Sequence, residues 1–321
     1  MLKICPLDSL DIANSSSLPS PVYLPVNLQY RKVRLCDWDF TDLSFGVFDA
    51  DTLVAKCIIS AGHGPDDQRT IDAFGIPFIT VFVTGSIDVQ RAADAMMEKH
   101  FSHLMNDYAG YSADHLVCDS QFPKIAQSML RNGAGIDTSF NVVIDGKRSV
   151  ESLFSEVRKR YKSMIHKGNR TMDIDLLHSG NVSWDEFNEF RLLHIRESKR
   201  ETRSIDTWKR HCEMVAAGFA FVVRARISHD LVGAALFLHN NEVCYYGVGA
   251  YDRSLFPKPI SHAVLWQGIL FAKQIGCASI EIGETFFSGV STVTEKEFNI
   301  GEFKRGFGGN IIPRFRIKCV I

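Results

Sequence analysis

The sequence lacks any long apolar segment. It contains no run of 18 apolar residues, and its N-terminus, "MLKICPLDSL", has no apolar stretch of the length that a signal peptide needs. We therefore expect a soluble, cytoplasmic protein that makes no integral membrane contact.

The sequence also lacks an excess of charge of either sign. It has 36 Lys and Arg residues against 37 Asp and Glu residues, for a formal net charge of −1. Such a chain has no global field that attracts nucleic acid or anionic lipid, so contact with a polyanion would need a local basic patch.

Paired cysteines are absent as well. Eight cysteines are scattered singly and form no C-x-x-C motif: Cys5, Cys36, Cys57, Cys118, Cys212, Cys244, Cys277 and Cys319. Most lie in apolar segments, which favours buried free thiols over disulfides and fits a reducing compartment.

The common catalytic signatures are missing too. The chain has no G-x-S-x-G, no P-loop, no G-x-G-x-x-G and no H-E-x-x-H. We therefore expect neither a hydrolase triad nor a metal site, and any chemistry should proceed without a covalent nucleophile.

A regular order of elements is present in the C-terminal half. Three strand-like segments, 219–227, 231–239 and 242–250, are separated by the short turn formers "SHD" and "NN", which predicts an antiparallel meander. A helix with start and stop signals follows in "PKPISHAVLWQGILFAKQIG", and "ASIEIGE" is typical of a further strand.

The N-terminal half repeats this order. Its strand-like segments "LSFGVFD", "LVAKCIIS" and "FITVFVTG" precede a long helical pattern that Asp88 is expected to cap, and "DHLVCDS" and "FNVVIDG" follow as strands. At 321 residues the chain is long enough for two domains. We predict an α/β fold with mixed sheets, built from two tandem domains, 1–147 and 148–321, related by internal duplication.

A basic helix is predicted between the two copies. The segment "SVESLFSEVRKRYKSMIHKGNR" (149–170) has apolar residues at helical spacing, and its other face carries Arg158, Arg160 and Lys162 among further cations. This face indicates either an ordinary solvated surface or a site for phosphates. Two more helices are predicted at 183–200 and 204–218.

The segment "EFKRGFGG" near the C-terminus is the clearest candidate for a site. Phe303 and Phe307 flank Lys304, and two adjacent glycines follow, so the alternatives are a simple hairpin turn or a ligand-binding element. A lysine partly removed from water can stabilise an oxyanion or a phosphate, and glycine permits close backbone approach to a ligand. Arg305 and Gly308 are therefore candidate substrate contacts.

Residues 149–315 resemble the Fem-type aminoacyltransferases. The resemblance lies in the order of the basic helix, the meander ending "YYGVGAYDRS", the helix "SHAVLWQGILFAKQIG" and the F-K-x-x-F-G-G element. It implies tandem acetyltransferase-like (GNAT) domains and transfer of an amino acid from aminoacyl-tRNA to an amine of a cell-wall precursor. It also implies that Phe303 and Lys304 lie near the reacting ester.

The chain departs from related families in two ways. No coiled-coil arm is evident in the second domain, and the Q/R-x-x-G-x-G/A loop of acetyl-CoA-dependent relatives is absent between Ala250 and Ala263. Two other functions stay open, namely an acyl-CoA-dependent N-acyltransferase acting on an amino sugar or secondary metabolite, and a binding module without catalysis.

Amide formation assigns roles to the candidate residues. An amine attacks an activated acyl carbon, so positioning and oxyanion stabilisation are needed. We expect Lys304 to stabilise charge, Phe303 to shape the pocket, Tyr246 and Tyr251 to orient hydrogen bonds and Glu284 to act as a base. The expected donor is aminoacyl-tRNA or acyl-CoA, and no cofactor is expected to be permanently bound. The phosphates of the donor, or those of a nucleotide-linked acceptor, would be held by Arg158, Arg160 and Lys162.

Overall fold

The computed structural model describes residues 1–7, 18–117, 122–255, 258–287 and 293–320. Within those ranges the chain divides into two compact units: Met1–Ser139 together with Pro313–Ile321, and Phe140–Ile312. We call them unit 1 and unit 2. No described helix combines the length and hydropathy needed to cross a membrane.

Unit 1 contains two sheets and three α-helices within its described residues. Its strands are β1 (Leu2–Pro6), β2 (Asp39–Asp42), β3 (Phe45–Asp49), β4 (Thr52–Ile58), β5 (Ser60–His63), β6 (Arg69–Asp72), β7 (Ile79–Phe82) and β8 (Ser112–Val117). Its helices are α1 (Pro25–Arg34), α2 (Ile87–Asn106) and α3 (Lys124–Arg131). The first sheet is antiparallel, in the order β1-β3-β4-β7.

The second sheet of unit 1 includes the last strand of the chain. Strand β15 (Asn310–Val320) pairs through Phe315–Val320 with β8, and the order continues as β8-β6-β5-β2. The β6–β8 pair is parallel, with α2 in the connection between them.

Unit 2 is a mixed sheet covered by helices. Its strands are β9 (Gly135–Asp145, from Phe140 onward), β10 (Asp173–Leu177), β11 (Ala220–Ile227), β12 (Asp230–His239), β13 (Val243–Tyr251) and β14 (Ser279–Thr285). Its helices are α4 (Val150–Glu156), α5 (Lys159–Thr171), α6 (Trp184–Ser198), α7 (Ile205–Ala216), α8 (Ile260–Gln274) and α9 (Glu295–Arg305).

The predicted meander is confirmed in unit 2. Strands β10 to β13 are successively antiparallel, β14 then pairs with β13 in parallel, and β9 pairs with β14 antiparallel. Helix α8 forms the crossover and packs its apolar residues, such as Val264 and Ile269, against Phe221 and Phe237 of the sheet. The buried residues of α6 and α7 form a separate aromatic cluster around Trp208.

Several predicted boundaries differ from the observed ones. The compact units do not coincide with 1–147 and 148–321, because residues 140–145 pair with β14 in unit 2 and residues 315–320 pair with β8 in unit 1. Helix α2 begins one residue before Asp88, since Ser86 is its N-cap and accepts a hydrogen bond from the Val89 N–H.

The structure corrects one predicted helix of unit 2 and excludes one of the two alternatives for the segment before the last strand. The single basic helix is two helices, α4 and α5, because the backbone is extended at Val157 and Arg158. The segment "EFKRGFGG" is no hairpin turn, since Phe303, Lys304 and Arg305 form the last turn of α9.

The predicted state of the cysteines is confirmed in part. Seven cysteines are free thiols in the described residues, and Cys118 lies outside them. Cys57, Cys244 and Cys277 are buried as expected, whereas Cys36 is exposed.

Candidate functional site

Strands β13 and β14 separate from each other part of the way along their length. Their parallel pairing covers only three residue pairs and ends at Tyr245 and Glu281. Both strands continue beyond this point, to Tyr251 and Thr285, with no further pairing between them among the described residues. The separation leaves a gap in the pairing of the sheet, which we call the cleft, at the end where α8 follows β13 and α9 follows β14.

Lys304 lies against the separated part of β14. Its ammonium group donates a hydrogen bond to the Glu284 carbonyl at 3.1 Å. Gly283 makes room for the ammonium: it has a φ of +99°, and a Cβ there would lie 2.7 Å from Lys304 Nζ. Burial lowers the pKa of Lys304, and the Glu284 carboxylate partly opposes that shift. A cation is therefore held, partly desolvated, at the edge of the cleft.

Phe303 belongs to a cluster of aromatic rings beside Lys304. Its ring contacts Tyr161, His262 and Phe307, with ring centroids 5.9, 5.2 and 5.2 Å away. These residues come from α5, α8 and the turn after α9, so the cluster fixes the end of α9 against two other helices. Gly306 allows this packing, because a Cβ there would lie 2.0 Å from the Tyr161 ring.

The three predicted phosphate-binding cations differ in their availability. Arg158 forms an ion pair with Glu302 at 2.8 Å, and its backbone N–H donates to the Gly306 carbonyl. Lys162 donates to the Ser155 carbonyl at 2.8 Å. Arg160 is exposed and has no ion pair in the described part of the chain, so it is the most available of the three for a ligand phosphate.

Arg305 and Gly308 have structural partners. The Arg305 guanidinium donates to the Thr285 hydroxyl at 2.5 Å and the Phe286 carbonyl at 2.9 Å, and it forms an ion pair with Glu302. Gly308 has a φ of +82°, and a Cβ there would lie 2.8 Å from Glu156. Both residues therefore have a packing role that accounts for them without a ligand.

The two candidate tyrosines contact each other. The hydroxyl groups of Tyr246 and Tyr251 lie 3.1 Å apart, and both rings are partly buried against the core under α8. Burial raises the pKa of each hydroxyl, so both stay protonated near neutral pH. Glu284, the candidate base, is exposed beside the Lys304 ammonium.

Residues that the sequence did not single out also contribute buried polar groups. His262 Nδ1 is buried without a hydrogen-bond partner in the described residues. The same holds for Nε and Nη1 of Arg203, which lies over the ring of the buried Trp208 at 5.3 Å. His262 follows the proline and serine that mark the start of α8 in "PISHAV", so its position at a helix start could be predicted. Arg203 lies in a polar loop between α6 and α7, where no such pattern occurs.

The arrangement suits stabilisation of negative charge in a cleft. It brings Lys304, Phe303 and the exposed Arg160 to the ends of neighbouring helices, whereas Tyr246 and Tyr251 form a pair of their own. No group of three or more potential metal ligands occurs in the ranges that the structure covers.

Solved structures with this fold are similar over nearly the whole chain. FemX has a TM-score of 0.76 at 10% identity and covers 99% of this chain and 97% of its own. The C-terminal domain of a putative lysylphosphatidylglycerol synthetase from Agrobacterium fabrum has a TM-score of 0.60 at 12% identity, covering 97% and 91%. A tandem GNAT protein from the clavulanic acid biosynthesis pathway has a TM-score of 0.53 at 12% identity, covering 99% and 98%.

Comparison of the amino-acid sequence with family models and curated proteins finds no match. The structural similarities confirm the predicted fold, a mixed α/β fold of the FemX-like, tandem GNAT type.

Proposed function

We propose that this protein is an N-acyltransferase that forms an amide bond by transferring an aminoacyl group from aminoacyl-tRNA to an amine. The observation that carries the proposal is the Lys304 ammonium, held partly desolvated at the cleft between β13 and β14 of a FemX-like fold. Such a cation stabilises the negative charge that develops in acyl transfer.

The reaction needs no covalent enzyme intermediate. The acceptor amine attacks the acyl carbon, a C–N bond forms, and the carbonyl oxygen becomes an oxyanion that Lys304 stabilises. Collapse breaks the ester C–O bond and releases the tRNA hydroxyl, which takes up the proton that the amine loses. Glu284, exposed next to Lys304, is the proposed carrier of that proton, and Phe303 shapes the acyl pocket.

Helix α5 supports tRNA as the donor. It contains no acidic residue, and several of its cations are exposed without an ion pair in the described residues: Lys159, Arg160, Lys167 and Arg170. A stripe of unpaired cations attracts a phosphate backbone even when the net charge of the chain is near zero.

The proposed acceptor is an amine of a cell-wall or nucleotide-linked precursor. Such a precursor carries phosphates or carboxylates besides the amine to be acylated, and the exposed guanidinium of Arg160 suits such a group.

The alternative donor is acyl-CoA, and one comparison favours it. The similar tandem GNAT protein is described as lacking AcCoA in its solved structure, which associates that protein with acetyl-CoA. In this alternative the acceptor is an amino sugar or a secondary metabolite.

One assay distinguishes these functions. The protein is incubated with candidate amine acceptors and either a pool of aminoacyl-tRNAs or a panel of acyl-CoAs, and the products are detected by mass. We expect transfer from aminoacyl-tRNA that ribonuclease abolishes. Transfer only from acyl-CoA would support the alternative, and no transfer from either donor would indicate a binding module.

Lys304→Met tests the residue on which the proposal depends. Loss of one oxyanion donor typically lowers kcat about 10²- to 10³-fold, so we expect a loss of that size with an unchanged melting temperature. Lys296→Met, at an exposed position on the same helix, is the matched control. Wild-type turnover in Lys304→Met would refute the role of this lysine.

A further inference from the structure

His262 is a polar group inside an otherwise apolar cluster. It lies in the first turn of α8, and its ring contacts Tyr161 at 4.4 Å and Phe303 at 5.2 Å, both edge to face. Packing alone would be served equally well by phenylalanine, which would not bury a nitrogen. Shape alone therefore does not explain why this position has an imidazole.

The two ring nitrogens have different environments. Nδ1 is buried and has no hydrogen-bond partner, whereas Nε2 is not buried and likewise has no protein partner in the residues described. Burial lowers the pKa of His262 to about 4, and the charge of Arg160 contributes to that shift, so the ring is neutral at pH 7.

This asymmetry selects a tautomer. Nδ1 is unpaired in either tautomer, but a buried N–H without an acceptor is rarer in proteins than a buried acceptor without a donor. A proton on Nε2 leaves the donor where water or a ligand can accept its hydrogen bond. His262 therefore presents an N–H donor at an accessible edge of the aromatic cluster that contains Phe303.

We infer that His262 is a second donor of the transfer site, and that its Nε2–H donates a hydrogen bond to an oxygen of the acyl donor. The inference rests on the proposed acyl transfer and adds to it a neutral donor that contacts Phe303, the residue before Lys304 in α9. The oxygen is either the reacting carbonyl or a phosphate, both of which accept from an N–H.

Three substitutions separate hydrogen bonding from packing. His262→Phe keeps a ring and removes both nitrogens. His262→Gln places an amide N–H near the position of Nε2, whereas His262→Asn carries the same amide but is too short to reach it. His166→Phe is the matched control, because His166 on α5 makes a similar edge-to-face contact, with Phe154 at 5.3 Å.

We expect His262→Phe and His262→Asn to lower kcat/KM about 10- to 100-fold, the size of one hydrogen bond to a neutral or charged acceptor, and His262→Gln to restore most of it. The kcat/KM of His166→Phe should equal that of the wild type. A fall in kcat at constant KM would identify the reacting carbonyl as the acceptor, whereas a rise in KM at constant kcat would identify a phosphate.

Two results would overturn the inference while leaving acyl transfer intact. One is a folded His262→Phe variant with kcat/KM within about twofold of wild type, less than one hydrogen bond supplies. The other is an equal loss of kcat/KM in His262→Gln and His262→Asn, which would mean that His262 contributes only packing. A wild-type protein without turnover from any donor would refute the proposed function itself, and this inference with it.

Discussion

Gly283 shows how a single residue can determine the position of a charged side chain, here the proposed catalytic Lys304. Its φ of +99° is costly for any residue with a Cβ, and the missing Cβ is what lets the Lys304 ammonium approach β14. A bulge next to Gly283, in the pairing of β14 with β9, marks the same point of the strand. The local backbone is therefore adapted to the lysine.

Gly283→Ala should impair turnover beyond its effect on stability. The new methyl group would lie 2.7 Å from Lys304 Nζ and displace it, in addition to the strain of positive φ. Gly276→Ala is the matched control, because Gly276 has a φ of +93° and a Cβ there would meet no other atom within 4 Å. Both variants should lose about 1 kcal/mol of stability, but only Gly283→Ala should lose more than about tenfold in kcat. Equal kcat in the two variants would contradict this account.

A buried histidine in unit 1 predicts acid sensitivity. His115 is 1% exposed, stacks on Phe78 and has no partner for either ring nitrogen in the described residues. Burial lowers its pKa to about 3 from 6.5. Because the unfolded chain binds the proton below about pH 6.5 and the native state does not, stability falls as the pH drops toward the folded-state pKa, by up to about 1.4 kcal/mol per pH unit.

His115→Phe should remove this contribution. At about pH 7.5 we expect the free energy of unfolding of the variant to lie within about 1 kcal/mol of wild type. Between about pH 7.5 and about pH 4.5 it should fall less than that of the wild type, as measured by urea unfolding at both pH values. The exposed His103 on α2 supplies the control, since His103→Phe removes an imidazole from the surface. An unchanged difference between the two pH values in His115→Phe would contradict the prediction.

At the scale of elements, local signals predicted most of unit 2. The meander, α8 and β14 follow from alternation, turn formers and capping residues within a few positions of each element. Helix α9 also had a signal, a capping box formed by Thr294 and Glu297, which the prediction did not use. The break between α4 and α5 had none, because it accompanies a hydrogen bond from Arg158 to Gly306, which is distant in the sequence.

The exposed cations of α5 predict a salt-dependent affinity for tRNA. Replacing both Arg160 and Lys167 by Gln should weaken binding and reduce the slope of log K against log salt by about 0.7–0.9 for each phosphate that is no longer neutralised. Lys209→Gln with Arg210→Gln removes the same charge from α7, where each cation pairs with an acid. Filter binding of uncharged tRNA at several salt concentrations measures both slopes. Equal slopes in the two double variants would exclude α5 as the tRNA surface.

At the scale of the whole molecule, the sequence predicted the fold class better than the site. The order of elements implied a tandem α/β fold, because each element is specified locally. The cleft depends on where the parallel pairing of β13 and β14 ends, and Phe303, His262 and Tyr161 meet only through packing of separate helices. Phe303 and Lys304 were candidates because of the flanking aromatic residue and the adjacent glycines, and the family resemblance added their place near the reacting ester, but neither predicted that they form the last turn of α9.

The last strand predicts that unit 1 depends on the C-terminus. Ile317 of β15 is fully buried opposite His115 of β8, whereas Val320 on the same strand is 77% exposed. Ile317→Asp would bury an unpaired carboxylate and should cost more than about 3 kcal/mol, whereas Val320→Asp should change stability by less than about 0.5 kcal/mol. Hydrogen exchange should show the loss in β8 and β6 of unit 1, with β12 of unit 2 still protected. If Ile317→Asp exposes β12 and leaves β8 protected, residues 313–321 do not belong to unit 1.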